Sequence, residues 1–139
     1  MTSYLADTSI WSWGQSGQRR DITERLAARH ERGELITCAP VALESQPRAR
    51  TGAEYDRFFQ LFYAPLHWVP CGEATFLRAL EVQRSLAHAG DGRHRRPTID
   101  YVIAAAAELG NIVLWAFDRD MRVICEHTGQ PCELESTDP

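Results

Sequence analysis

The sequence predicts an α/β fold, a three-layer sandwich in which a central, mostly parallel sheet of four to five strands is flanked by helices. Short apolar segments alternate along the chain with longer segments of helical periodicity, the pattern of strand–helix–strand units. The apolar run 112–117 is unbroken, as expected of a parallel strand that is buried on both faces. At 139 residues with 44% hydrophobic content, the chain can bury one core, so we expect a single domain over 1–139.

The N-terminal elements follow from apolar spacing and from loop-forming residues. Residues 3–6 form the predicted first strand, and a helical turn follows at 8–11. The stretch 14–18 contains two glycines and is predicted to be a loop. The next helix is expected at 22–32, with Asp21 as its N-cap, because its apolar residues recur at helical spacing.

The middle elements are punctuated by proline. A second strand is predicted at 35–38, and Pro40 suits the first turn of the helix that carries Glu44. Pro47 should make that helix either short or kinked, because proline removes a hydrogen bond from a helix interior. A further helix with a wide aromatic face is predicted at 52–64.

The remaining elements alternate in the same way. A third strand is predicted at 67–70, a long helix at 73–89, a loop at 91–97 and an alanine-rich helix at 99–109.

The C-terminal elements begin with the fourth strand, predicted at 112–116 within the unbroken apolar run. The stretch 118–124 is predicted to be a loop with at most a short helix. The acidic tail at 133–139 either adds a last short strand or stays loose.

Composition excludes several enzyme classes. All 15 basic residues are arginine, so mechanisms that need a lysine are excluded, among them P-loop phosphate binding, Schiff-base catalysis and phospho-acceptor receiver domains. The four cysteines lack the spacing of a C-x-x-C pair and are expected to be reduced thiols. The N-terminus lacks the pattern of a secretory signal and no apolar stretch is long enough to span a bilayer, which predicts a cytoplasmic protein without membrane contact.

Four carboxylates are predicted to meet at one edge of the sheet. They are Asp7, Glu44, Asp100 and Asp118. Asp7 and Asp118 each directly follow a predicted strand, and ligands of parallel sheets bind beyond the carboxyl ends of the strands. Because uncompensated carboxylates repel each other, the cluster predicts a divalent cation, Mg²⁺ or Mn²⁺. Such a carboxylate-bound cation is the usual apparatus for hydrolysing phosphodiesters.

Other polar residues near these acids are candidates for the same site. The predicted metal ligands are Asp7, Asp100, Asp118 and Asp120. The hydroxyls of Thr8 and Ser9 are placed to orient water or a ligand oxygen. A compact arginine loop lies directly before Asp100 and is expected to clamp flanking phosphates. Its arginines are Arg93, Arg95 and Arg96.

Several motifs together resemble the PIN-domain ribonucleases, and within them the VapC-like toxins of bacterial toxin–antitoxin pairs. The motifs are Leu-Ala-Asp-Thr-Ser-Ile-Trp at 5–11, Ala-Leu-Glu at 42–44, Ile-Asp-Tyr-Val-Ile and four alanines at 99–107, and Phe-Asp-Arg-Asp-Met at 117–121. Their order and spacing and the total length fit the family, so the resemblance covers nearly the whole chain.

The resemblance implies a PIN-like sandwich and a Mg²⁺- or Mn²⁺-dependent endoribonuclease. Its catalytic quartet would be Asp7, Glu44, Asp100 and Asp118, sometimes joined by Asp120. Water would attack in line and leave a 5′-phosphate and a 3′-hydroxyl. The implied partners are an RNA substrate, a cognate antitoxin that blocks the acidic groove, and a second copy of the chain in a homodimer.

Two alternatives stay open at this point. The chain could be a PIN-like scaffold that binds RNA or protein without cutting, although the complete acidic set argues for catalysis. Trp11 and Trp13 either stack on bases as exposed aromatics or pack in the core or at a dimer contact.

Overall fold

The computed structural model describes residues 1–138, in which five strands and seven α-helices alternate. The strands are β1 Tyr4–Ala6, β2 Leu35–Thr37, β3 His67–Trp68, β4 Val113–Phe117 and β5 Cys132–Glu135. The helices are α1 Thr8–Ser16, α2 Arg20–Glu31, α3 Ala39–Ser45, α4 Gly52–Phe58, α5 Glu73–Ala89, α6 Thr98–Leu109 and α7 Asp118–Thr128. A 3₁₀ turn at Gln46–Arg48 follows α3, and a π-helical turn at Phe59–Tyr63 continues α4.

The five strands within residues 1–138 form one all-parallel sheet in the order β3-β2-β1-β4-β5, so the predicted α/β sandwich is confirmed. In the central strand β1, Tyr4 pairs with Leu35 of β2 on one side and with Val113 of β4 on the other. Because all strands run the same way, their carboxyl ends lie at one edge of the sheet. The residues that directly follow β1 and β4 therefore come close together in space.

Two groups of helices cover the sheet and enclose the core. α1 packs against α2 and α3, whereas α6 packs against α5 and α7. Leu5, Leu114 and Trp115 in the central strands are fully buried between them. Gly14 allows α1 and α2 to approach closely, since an added Cβ would lie 2.8 Å from Cδ2 of Leu26. Among the described residues, we find no helix with both the length and the apolar character needed to cross a membrane.

The edge strand β5 is held by charged and aromatic side chains more than by deep apolar burial. Arg29 of α2 donates to both carboxylate oxygens of Glu133, at 2.6 and 3.1 Å. The same guanidinium lies 3.8 Å from the ring centroid of Tyr4 and 4.3 Å from that of Trp115. The indole N–H of Trp115 donates to Glu135 at 2.9 Å. β5 is thereby fastened to both α2 and β4.

These contacts decide between the two states expected of the tail at 133–139. The tail forms a strand through Glu135, and Arg25 of α2 donates to that side chain at 2.8 and 2.6 Å. Arg19 then donates to the carbonyl of Ser136 at 2.8 Å. Residue 139 lies outside the described residues.

The stretch 118–124, predicted to be a loop with at most a short helix, is helical throughout and forms the first part of α7, which continues to Thr128. Phe117 is extended and occupies the N-cap position, and the acids of the first turn interact favourably with the positive end of the helix dipole. Gly129, with φ of +70°, ends the helix in the left-handed conformation. The buried residues follow the spacing of one helix face and are Met121, Ile124 and Cys125.

Other boundaries also differ from the prediction, among them the end of β3, predicted at 70 and found at Trp68. α1 continues until Gly17, whose φ of +77° ends it, so the predicted loop at 14–18 is largely helical. α2 begins at Arg20, with Arg19 rather than Asp21 at its N-cap. Asp21 instead accepts two hydrogen bonds of 3.0 Å from Arg19, because a bidentate ion pair satisfies its carboxylate better than a single capping bond.

Candidate active site

Asp7 lies at the carboxyl end of β1, where the chain turns into α1. Its backbone N–H donates to the carbonyl of Trp115 in β4 at 2.8 Å, which ties the end of β1 to the neighbouring strand. Its side chain is 3% exposed, and its Oδ2 accepts a hydrogen bond of 2.8 Å from Oγ of Ser9. Asp7 is therefore a buried carboxylate held in one orientation at the ligand-binding edge of the sheet.

The pKa of Asp7 reflects this burial. Burial raises it to about 6, although the hydrogen bonds from Ser9 and from the backbone of Thr8 act in the opposite direction. The negative charges of Glu44 and Asp120 raise it further. Asp7 thus lies where a positive neighbour would be stabilising.

Asp100 shares this environment from the first turn of α6. Burial raises its pKa to about 7, and the charges of Asp7, Asp120 and Glu44 add to the effect. The guanidinium of Arg96 lowers it. The repulsion that these carboxylates exert on one another means that they lie near each other, although they come from separate elements.

Glu44 reaches the site from α3. Pro40 lies in the first turn of this helix, and the helix gives way to a 3₁₀ turn that contains Pro47, so the short helix expected from the prolines is confirmed. Oγ1 of Thr8 donates to Oε1 of Glu44 at 2.6 Å. This hydrogen bond connects α3 to the first turn of α1, which directly follows Asp7.

Asp118 has a different partner. As the first residue of α7, it accepts hydrogen bonds on Oδ2 from Nη2 and Nε of Arg122, at 2.6 and 3.0 Å. The charges of Glu44 and Asp120, which lies two residues after Asp118, contribute to the raised pKa of both Asp7 and Asp100. The i,i+4 spacing of Asp118 and Arg122 is a sequence signal for their pairing that the sequence analysis did not use.

The arginine loop contains two kinds of side chain. Arg93 and Arg95 are exposed. Arg96 is half-buried, and its Nη2 donates to the carbonyl oxygens of Arg119 and Asp120 at 3.2 and 3.3 Å. The exposed arginines face solvent, whereas Arg96 is engaged with α7.

The two tryptophans after Asp7 pack into the protein. Trp11 is 1% exposed, and its ring centroid lies 5.1 Å from that of Tyr63 and 6.0 Å from that of Phe62. Trp13 is half-buried, with its ring centroid 5.7 Å from that of Phe117. Of the alternatives left open by the sequence, core packing is therefore the one found.

The grouped side chains suit a hard divalent cation, because they offer carboxylate and hydroxyl oxygens. Within residues 1–138, no three Asp, Glu, His or Cys side chains converge closely enough to enclose a metal ion. The fit therefore rests on the donor chemistry and on the raised pKa of Asp7 and Asp100, since a cation beside these groups would favour their charged forms.

Comparison with known proteins is consistent with this arrangement. The family model described as PIN domain matches residues 4–126. Ribonuclease VapC18 of Mycobacterium tuberculosis (strain ATCC 25618 / H37Rv) is 35% identical over 131 residues, which cover 94% of this chain and 93% of that protein. Ribonuclease VapC21 of the same strain is 32% identical over 133 residues, which cover 95% and 93%.

Solved structures show the same fold. The chain matches a structure of VapBC2 from Rickettsia felis bound to a promoter DNA fragment with a TM-score of 0.74 and 14% identity, over 96% of this chain and 98% of the other. It matches VapBC-1 from nontypeable Haemophilus influenzae with a TM-score of 0.73 and 16% identity, over the same shares. At these identities the structures support the fold alone. Because the family model and the ribonuclease relatives each span most of its length, this protein belongs to the PIN-domain family.

Proposed function

We propose that this protein is a Mg²⁺- or Mn²⁺-dependent endoribonuclease that acts as the toxin of a toxin–antitoxin pair in the bacterial cytoplasm. The observation that carries the proposal is the group of acids around the buried Asp7, at the carboxyl edge of a PIN-domain sheet. Similarity to proteins named VapC ribonucleases supports RNA as the phosphodiester that is hydrolysed.

Several acids would bind the cation together. Asp7, Glu44 and Asp100 would hold it together with an acid from the first turn of α7, either Asp118 or Asp120. When bound, the cation would neutralise charge on the scissile phosphate and lower the pKa of a water molecule toward that of a nucleophile.

Hydroxyl groups of α1 orient the acids before substrate arrives. Ser9 holds Oδ2 of Asp7, and Thr8 holds Oε1 of Glu44, so two oxygens are fixed in advance of the reaction. With a pKa of about 7, Asp100 is partly protonated at neutral pH and gives up its proton when a positive charge is bound beside it.

Local charge rather than total charge would hold the RNA. The net charge of −4 does not attract a polyanion to the molecule as a whole. Arg93 and Arg95 are exposed in the loop that leads into α6, and each guanidinium can form a bidentate pair with a phosphate next to the one that is cut.

An apolar groove between α1, α2 and α4 is proposed to receive a helical segment of the cognate antitoxin. The groove has a volume of about 730 Å³. Its apolar lining includes Trp11, Leu26, Ala27, Phe58 and Leu61. Similarity of the fold to toxin chains of VapBC complexes supports this partner.

A second exposed apolar surface supports the homodimer. Phe76, Leu77 and Leu80 lie on one side of α5 and are 51%, 57% and 59% exposed. Adjacent apolar side chains left in water on one helix are typical of a protein interface. We propose that this surface meets the same surface of a second copy.

A cleavage assay tests the proposed activity. End-labelled RNA incubated with the purified protein should be cut in the presence of Mn²⁺ or Mg²⁺, and EDTA should stop the reaction. Asp7→Asn is expected to abolish cleavage while thermal unfolding stays cooperative. The exposed Arg20, changed to alanine, is the matched control and should cut at the wild-type rate. RNA that stays intact with either metal across structured and unstructured substrates would contradict the proposal.

One observation favours a second candidate, a non-catalytic PIN-like scaffold that binds RNA or protein. In the described part of the chain the acids do not converge to metal-binding distances. The two candidates differ in metal affinity. Calorimetric titration with Mn²⁺ should give saturable binding that Asp7→Asn removes if the enzyme is correct, and no such binding if the scaffold is correct.

A further inference from the structure

A small cavity of mixed polarity lies between α1, α4 and the 3₁₀ turn that follows α3. Its volume is about 300 Å³, at the lower end of the range for small-ligand pockets. Two side-chain hydrogen bonds of the same spacing locate it, since Thr8 donates to Glu44, and Arg48 donates to Ser12 four residues further along both segments. Ser12 and Arg48 line the cavity, which therefore lies one helical turn, about 6 Å, along α1 from the Thr8–Glu44 bond. This is close to the step between neighbouring phosphates of an extended single strand.

A buried amide in the lining has hydrogen-bonding groups to spare. Gln46 is 3% exposed, and its Nε2 donates to the carbonyl of Tyr55 at 3.1 Å. Within residues 1–138, the second N–H and the Oε1 of this side chain have no partner. The nearby hydroxyls of Ser45 and Tyr63 are hydrogen-bonded to each other. Gln46 thus offers the cavity one free donor and one free acceptor, the pair of groups with which glutamine binds the edge of adenine.

Two aromatic rings form an apolar wall of the same cavity. They belong to Phe58 and Phe62, which are half-buried and have ring centroids 6.2 Å apart. Proteins bind unpaired RNA bases by packing them on aromatic side chains and by hydrogen bonds to the base edges. A cavity that combines these rings with a free amide is suited to a single base.

The charged side chains of the lining are two arginines and one glutamate, so positive charge is in excess. Arg48 and Arg50 are exposed. In the part of the chain that the structure describes, Arg48 contacts the neutral hydroxyl of Ser12 and forms no ion pair with a carboxylate. The acid of the lining, Glu54, lies in the first turn of α4, where the helix dipole stabilises its charge. The guanidinium of Arg48 therefore keeps donors available for a phosphate.

We propose that this cavity is a subsite for one unpaired nucleotide of the RNA, next to the scissile phosphate. Gln46 binds the edge of an adenine base, and Phe58 and Phe62 pack against that base. Arg48 pairs with the phosphate of the same nucleotide. The inference rests on the proposed nuclease function and gives it a source of base preference. The groove proposed for the antitoxin shares both rings with this cavity, so RNA and antitoxin would compete for them.

RNA binding in the absence of metal tests both parts of the subsite. In EDTA, fluorescence anisotropy of the full chain should show tighter binding of short single-stranded oligoadenylate than of oligouridylate. Gln46→Leu should weaken the binding of oligoadenylate about fivefold or more and change that of oligouridylate little. Arg48→Gln should weaken the binding of both RNAs and reduce the slope of log affinity against log salt by about 0.7, the value for one phosphate contact. Arg57→Gln, at an exposed position of α4 outside the cavity, is the matched control and should keep the wild-type slope.

Cleavage provides a second measurement that a purely structural role would not change. Arg48→Gln should raise KM for RNA with little change in kcat, because its contact is made equally in the bound substrate and in the transition state. Sequencing of the product ends should show adenine at a fixed position beside the cut, and Gln46→Leu should make that position variable. Because Gln46 is buried and its variant can loosen the turn, the exposed Arg48 tests the subsite with the turn intact.

The inference and the proposed function fail in distinguishable ways. Equal binding of the two RNAs by wild type would overturn the subsite, as would a wild-type salt slope in Arg48→Gln, and the latter is expected if the cavity receives the antitoxin instead. Metal-dependent cleavage would leave the proposed function standing in both cases. A wild-type protein that binds RNA with the stated preference and does not cut it would overturn the nuclease function and keep the binding site.

Discussion

Thr8 and Glu44 are joined by a hydrogen bond of 2.6 Å, in which Oγ1 of the threonine donates to Oε1 of the glutamate. The two residues are 36 positions apart, and the bond connects the first turn of α1 to α3. Because Asp7 directly precedes Thr8, this bond connects the glutamate carboxylate to the residue next to the buried aspartate. The hydroxyl of Thr8 therefore orients an acid of the site.

Thr8→Val tests this role, because valine keeps the shape of threonine and removes the donor. We expect stability to fall by about 1 kcal/mol, as for one exposed hydrogen bond. The rate of RNA cleavage should fall about tenfold or more, because a small displacement of a catalytic carboxylate slows the reaction strongly even when the free energy of unfolding changes little. Thr8→Ser keeps the hydroxyl and should restore most of the activity. Equal cleavage by the valine and serine variants would rule this role out.

The raised pKa of Asp7 makes the stability of the metal-free protein depend on pH. The folded carboxyl, with a pKa of about 6, holds its proton more tightly than the unfolded one, whose ordinary value is 3.8. The contribution of Asp7 to stability is therefore largest at low pH and is lost as pH rises from about 4 to about 6.

Asp7→Asn should remove the fall in stability that the ionisation of Asp7 causes as pH rises. In EDTA at pH 8 the variant should be more stable than wild type by about 1 to 3 kcal/mol, and at pH 4 the difference should be near zero. Urea unfolding at both pH values measures it. Asp21, whose pKa is lowered, contributes to stability with the opposite pH dependence. This contribution is the same in wild type and in the variant, so it cancels when their free energies of unfolding are subtracted. If Asp7→Asn were less stable than wild type at pH 8, the ionised carboxylate of Asp7 would not be a buried, unpaired charge.

Metal binding should stabilise the folded protein in a pH-dependent way. At pH 8, Mn²⁺ at a hundred times its dissociation constant is expected to add about 2.7 kcal/mol to the free energy of unfolding. At pH 5 the effect should be much smaller, because the carboxyls of Asp7 and Asp100 are then mostly protonated. Thermal scans with Mn²⁺ and with EDTA measure this. Equal stabilisation by Mn²⁺ at both pH values would mean that the ion binds at a site other than that of Asp7 and Asp100.

Arg29 should be the strongest single attachment of β5. Arg29→Ala removes a bidentate ion pair with Glu133 and the contacts with two aromatic rings, and it leaves the half-buried Glu133 with only the longer ion pair to Arg25, at 3.6 Å. We expect a loss of about 2 to 3 kcal/mol and faster proteolysis of the C-terminus. Arg20→Ala, in the same helix but exposed, should change stability by less than about 0.5 kcal/mol. Similar values for both variants would show that β5 does not depend on the ion pair.

A charge introduced into the apolar surface of α5 should change the oligomeric state of the protein. Leu80→Glu places a charge in the proposed dimer contact and should convert a dimer to a monomer in sedimentation velocity, with little loss of stability because Leu80 is 59% exposed. Leu61→Glu, at an exposed apolar position of the groove between α1, α2 and α4, is the matched control and should stay dimeric. A wild-type protein that sediments as a monomer at micromolar concentration would exclude this interface.

Local signals in the sequence predicted most of the elements. The unbroken apolar run of β4, the proline at the start of α3 and the glycine after α2 act within a few residues, so they can be recognised without the tertiary structure. The length of α7 was underestimated because its charged first turn resembles a loop, while its buried face becomes apparent only over the following turns.

The sequence by itself determined the alternation of strands and helices, and with it the presence of acids at the carboxyl edge of a parallel sheet, because both depend on short-range spacing and on the handedness of strand–helix–strand units. Only the tertiary structure decided which arginine each acid at this edge pairs with, and which arginine of the loop before α6 is half-buried rather than exposed. Those outcomes depend on competing ion pairs, such as that of Asp118 with Arg122, and on the desolvation of charges by elements that are distant in sequence.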